Sequence, residues 1–166
     1  MKRGIALAMA ALLTLAIAGP AAAGAGDYAV GGGWRLDSDG TTRVAAWALI
    51  ASGRGSGVDA GGRYLFRRPD LGISLWGEVT CLRVESGYAV VAGRITRSIG
   101  LEARGLFDQV GFIVVLFDGG RSAPDQVTGT GFVPVDATVE QLGTCSGFHP
   151  TDTWRNNQGF VTIVDG

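Results

Sequence analysis

Lysine is nearly missing from this chain, which carries only Lys2. Histidine occurs once, as His149, and cysteine twice, as Cys81 and Cys145. Each scarcity closes a class of chemistry. Without a lysine past residue 2, Gly53-Arg54-Gly55-Ser56-Gly57 has no Walker lysine. It lacks G-x-G-x-x-G spacing as well, so it reads as a flexible loop and not as a phosphate cradle. With a single histidine, any catalytic triad or imidazole metal site must use His149, and a zinc site runs short of ligands. Basic residues are not in surplus either. Setting aside Lys2 and Arg3 leaves 12 of the 14 basic residues, all arginine, against 15 acidic ones. The densest basic stretch, Arg63 to Arg68, is flanked by Asp59 and Asp70, so nucleic acid is not an expected partner.

Long apolar runs are scarce too. Past residue 23 none approaches the roughly 20 residues that a membrane-spanning helix needs. No long amphipathic helix is visible there, and no internal repeat of the length that marks solenoids or propellers.

What is present begins with an export signal. Lys2 and Arg3 give a short positive start, and Ile5 to Ile17 is apolar except for Thr14. Gly19-Pro20 then ends any helix, and Ala21-Ala22-Ala23 supplies small residues for a peptidase. The reading is a signal peptide over 1–23, with a second cut open after Ala25, and a single domain over 24–166. Export places the product outside the cell or in its envelope, in an oxidising compartment where disulfides persist. No membrane span follows cleavage.

Twenty-eight glycines in 166 residues are roughly twice the usual share of about 7%. They punctuate short runs of Val, Ile, Phe and Tyr, as in many-stranded antiparallel proteins. Strands are expected near Ala29–Leu36, Arg43–Ala51, Gly62–Arg67, Ile73–Trp76, Val79–Val84, Tyr88–Ile95, Phe112–Phe117, Gly131–Val135 and Gly159–Val164. Val44–Ala51 also suits a helix, and Ala137–Leu142 reads as one helical turn. Glu85-Ser86-Gly87 makes a hairpin of the strands around it, with Val79 and Cys81 expected on one face. The fold class is all-β: an antiparallel barrel or sandwich of about eight to ten short strands. The barrel is preferred because closure removes exposed edges.

The thiols decide the next question. Gly143-Thr144-Cys145-Ser146-Gly147 imitates a nucleophile elbow with His149 nearby, but Pro150 disfavours the helix that an elbow needs after it. Two cysteines in an exported domain most simply form a Cys81–Cys145 disulfide. Asp37-Ser38-Asp39-Gly40 lacks the third ligand and the closing glutamate of an EF-hand. Asp118-Gly119-Gly120 with Asp125 is a second acidic loop. Calcium could sit in such loops, yet turn formation accounts for Asp and Gly without it, so no cofactor is expected. Trp34, Trp47, Trp76 and Trp154 could line a ligand cavity, although core packing is their commoner role. The candidate ligand contacts are Trp154, which has the most polar surroundings, with Asp118, Asp125 and His149.

Gly77-Glu78-Val79-Thr80-Cys81-Leu82, Tyr88 to Ile95, Phe117-Asp118-Gly119-Gly120 with Pro124-Asp125, and the late Cys145 together resemble a pattern of small secreted bacterial proteins common in actinobacteria. That pattern has a G-x-V-x-C-L strand, an A-x-x-x-G-x-I return strand and a D-x-G-x…P-D loop. The resemblance implies an all-β exported domain and brings no activity or functional residues with it. The expected function is a non-catalytic extracellular binding module for a ligand or protein partner. The alternative is a small secreted hydrolase or isomerase with carboxylates in a barrel mouth.

Overall fold

Within Arg43–Ser52 every second side chain is buried: Ala45, Trp47, Leu49 and Ala51. A period of two is what a strand with one face on a core requires. It decides that ambiguous segment for strand. The computed structural model describes residues 26–54, 59–101, 110–128, 130–134, 145 and 155–166. The expected signal peptide, the expected turn at Ala137–Leu142, and both His149 and Trp154 lie outside them.

Nine strands follow one another: β1 (Tyr28–Leu36), β2 (Arg43–Ser52), β3 (Gly61–Arg68), β4 (Ile73–Glu85), β5 (Tyr88–Ile99), β6 (Val110–Phe117), β7 (Gln126–Val127), β8 (Gly131–Pro134) and β9 (Arg155–Val164). All pairings are antiparallel. From β1 to β6 each strand pairs with the next, β6 continues to β7, β7 to β9, and β9 returns to β1. The result is a closed eight-strand barrel with β8 as one extra strand, lying beyond β7 along the same edge of β6. No helix among the described residues is long and apolar enough to cross a membrane.

Eight strands leave an interior just wide enough for side chains to fill. Here Trp47, Leu49, Tyr64, Phe66, Leu75, Phe112, Val114 and Leu116 fill it. The rings of Tyr64 and Phe112 stack with centroids 4.7 Å apart. Glycine makes the room. Several glycines sit inside strands, not between them. A methyl group at Gly31 would lie 2.7 Å from the Trp47 ring, and one at Gly77 would lie 2.5 Å from Phe112. Gly77→Ala is therefore expected to cost about 2 kcal/mol by overpacking. The cost should shrink when Phe112 is Leu, which chemical denaturation of the four-member cycle would show as a coupling energy. Additive losses would mean that the ring is not what the methyl group meets.

The hairpin of β4 and β5 turns at Ser86 and Gly87, both at positive φ (50° and 84°), as a two-residue turn twisted to match its strands. One expectation for this hairpin is corrected. Val79 pairs with Gly93 and Cys81 with Ala92, leaving Thr80 as a bulge. The extra residue flips the alternation. Val79 faces the lumen, whereas Cys81 faces outward into a second apolar cluster with Val90, Ala92, Val115 and Cys145. Cys81 and Cys145 are joined as a disulfide across 64 residues, so both sides of this hairpin are covered.

Candidate functional site

At the end of the barrel where β1 and β3 finish and β9 begins, the inward register ends in charge. Arg35 pairs with buried Ala45, and Arg68 with buried Ile73. Arg155 stands two residues before buried Asn157 on β9, which is the same face. Period-two alternation thus turns three guanidinium groups from three strands toward one mouth. Asn157 and Tyr64 form the floor beneath them. The Trp47 indole Nε1–H donates to Asn157 Oδ1 at 3.0 Å, and Tyr64 Oη lies 2.6 Å from Thr130 Oγ1.

Electrostatics reflects this crowding. The pKa of Arg35 is lowered, first by burial and then by the charge of Arg68, with Arg155 adding to it and Asp37 opposing it. Burial also raises the Tyr64 phenol well above its ordinary range, against the Thr130 hydrogen bond and the charge of Arg35. Tyr64 is thus a neutral hydroxyl at physiological pH. Arg35 Nε is buried and has no hydrogen-bond partner among the described residues. An unmet buried donor costs about 1–3 kcal/mol, and more when charged. Arg68 pairs with Asp70 at 3.3 Å from Nε, but Asp70 is exposed and Arg68 partly so, and such pairs contribute little.

Asp118 follows β6 at the opposite end and Asp125 lies alongside β9, and the carboxylates of both are occupied. Asp125 Oδ1 accepts from the Gly119 amide at 3.1 Å, and Oδ2 from the Val161 amide at 2.7 Å. Asp118 Oδ1 accepts from Gly120 at 2.8 Å and Oδ2 from Ile163 at 3.3 Å. The reason lies in the topology. β7 is two residues long and meets β9 only at Asn156 and Arg155, so the amides of β9 further on lack a strand neighbour on that side. The two carboxylates stand in for its carbonyls. The other acidic loop behaves likewise: Asp39 accepts from the amides of Thr41 and Thr42, both at 2.8 Å, closing the turn from β1 to β2. The hydrogen bond from the Thr42 hydroxyl, and after it these amide bonds, hold the Asp39 carboxyl well below the usual carboxylate range. Among the described residues no group of three or more His, Cys, Asp or Glu side chains could hold a metal ion.

The bridged Cys145 cannot serve as a nucleophile, which removes the elbow reading. The tryptophans divide. Trp47 is core, while Trp34 and Trp76 lie under the guanidinium groups of Arg43 and Arg97, at 5.6 and 4.8 Å from the ring centroids. The sequence reading missed Arg35, Arg68 and Arg155 as a set. It treated Arg63, Arg67 and Arg68 as one basic run, but the pleat turns Arg63 and Arg67 outward and Arg68 inward. Strand alternation counted back from a buried residue is the signal that finds such a set. Neither protein families, curated proteins nor solved structures yield a match to this chain.

Proposed function

We propose that the chain is an exported binding module that holds its ligand at the arginine-bearing end of the barrel and performs no covalent chemistry. One observation carries this reading. The lumen is filled with apolar side chains, and none of the described inward-facing strand positions bears a carboxylate. A hydrolase or isomerase working in the barrel mouth needs acid and base groups of separated pKa around a cleft. What faces the mouth instead is a set of fixed positive charges above a neutral hydroxyl pair, which suits recognition. Export is supported by the leader pattern of residues 1–23 and by the oxidised cysteines.

The test is a panel in which binding and turnover are read together. The mature protein is screened by thermal shift against small extracellular metabolites and by absorbance against chromogenic esters, glycosides and phosphates. Midpoint shifts without turnover are expected. Turnover that is abolished by Arg68→Gln would overturn the reading. Export is checked separately by N-terminal sequencing of the product in the medium, which should begin at Gly24 or two residues later.

A further inference from the structure

Three observations converge on the arginine mouth. Arg35, Arg68 and Arg155 share the inward register at one end of the barrel, each from a different strand. Arg35 Nε is buried with no hydrogen-bond partner among the described residues. Below it, Tyr64 and Thr130 hold two hydroxyl hydrogens but use only one in their mutual bond. When Tyr64 donates, the half-buried Thr130 hydroxyl has its hydrogen left over.

Like charges gathered at one opening are unfavourable unless something of opposite sign joins them. Among the described residues, the charge of Asp37 opposes the lowered pKa of Arg35, and Asp70 is a half-exposed partner of Arg68. Guanidinium is the side chain whose planar fork matches two oxygens of one anion, where an ammonium offers only a point charge. The unused donors here are all N–H or O–H.

We propose that this mouth is a binding site for a small multivalent oxyanion, a phosphate or polycarboxylate group. Arg35 and Arg68 grip the oxygens, and Thr130 donates from below. The inference rests on the binding-module reading and names its ligand class. The filled lumen limits the ligand to what sits in the mouth, so the anionic group is the part recognised and the rest of the molecule extends into solvent. Burial around Arg35 strengthens the grip, because the same charge pair interacts more strongly away from bulk water.

The experiment titrates the mature protein with inorganic phosphate and, separately, with citrate. Ionic strength is held constant with sodium chloride, and the readouts are isothermal calorimetry and the thermal midpoint. Saturable binding of at least one probe is expected, and which one saturates tells phosphate from carboxylate chemistry. Arg35→Met should weaken it about tenfold or more, as loss of a charge-assisted hydrogen-bonding partner does. Arg68→Gln should weaken it less, and the outward Arg63→Gln should leave it unchanged. Near-UV circular dichroism reports whether each variant keeps its fold, and the partly exposed Arg68 provides a second test should Arg35→Met unfold. No saturation by either probe overturns the inference, as does equal weakening by Arg63→Gln, which would signal general charge attraction. Those failures are distinct from failure of the binding-module reading, which turnover alone would sink.

Discussion

Replacing Cys81 and Cys145 together by alanine is expected to lower the unfolding free energy by about 4 kcal/mol. The chain-entropy model gives that figure for a bridge closing 64 residues. Small domains have only about 5–15 kcal/mol in total, so the double variant should be close to unfolding at body temperature. The effect has two sources, and they can be separated. One is the larger conformational freedom of the unbridged unfolded chain, which should also raise the denaturant m-value as more surface becomes exposed on unfolding. The other is local. Cys145 covers Val90, Ala92 and Val115 on the outside of β5 and β6, at 0, 0 and 5% exposure, and without the bridge that cover rests on packing alone. Wild-type protein under reductant should unfold at the same denaturant concentration as the double variant. A loss below about 1 kcal/mol would show that the clasp contributes little beyond the packing it joins.

Much of this architecture is legible in the residue order, for a physical reason. A strand with one covered face imposes a period of two, and Arg43–Ser52 displays it plainly. Phe112 to Phe117 shows no period because both of its sides are covered: Phe112, Val114 and Leu116 face the lumen while Val115 lies in the outer cluster. The disulfide is legible because a leader-like start and the cysteine count leave few alternatives. Other features depend on quantities that no local pattern carries. Nothing in Val79-Thr80-Cys81 announces a bulge, since the inserted residue is defined by its partner strand. Glycine looks like punctuation in the sequence, yet Gly31, Gly77 and Gly93 are paired in space with Trp47 and Phe112, which lie far from them in the chain. β7 is too short to have a period at all. The arginine mouth escapes for the same reason as the bulge: Arg35, Arg68 and Arg155 become neighbours only once the sheet closes, when parity on three strands brings them to one end.

Closure itself hangs on an acidic side chain, and Asp125→Ala tests that. Between β6 and β9 the ladder is carried by two residues of β7, and beyond them the Val161 amide is satisfied by Asp125 Oδ2 at 2.7 Å. The same carboxylate orders the 118–125 loop through the Gly119 amide, while its backbone carbonyl accepts from the Asn157 amide at 2.8 Å. Alanine keeps the backbone bond and removes both side-chain bonds. Hydrogen bonds to a charged group contribute roughly 1.5–3 kcal/mol each, and with discount for partial exposure the expected loss is about 3 kcal/mol. Asparagine at this position presents one oxygen and one N–H₂, so it can satisfy only one of the two amides and should fall between wild type and alanine. Hydrogen exchange localises the effect: protection at Val161 should drop in Asp125→Ala while Val91, in the β5 ladder, exchanges only with global unfolding. Calcium provides the opposing test. Because both oxygens already accept from amides, added calcium should leave the wild-type thermal midpoint where it is, and a calcium-dependent rise that disappears in Asp125→Ala would mean that the loop is a metal site after all.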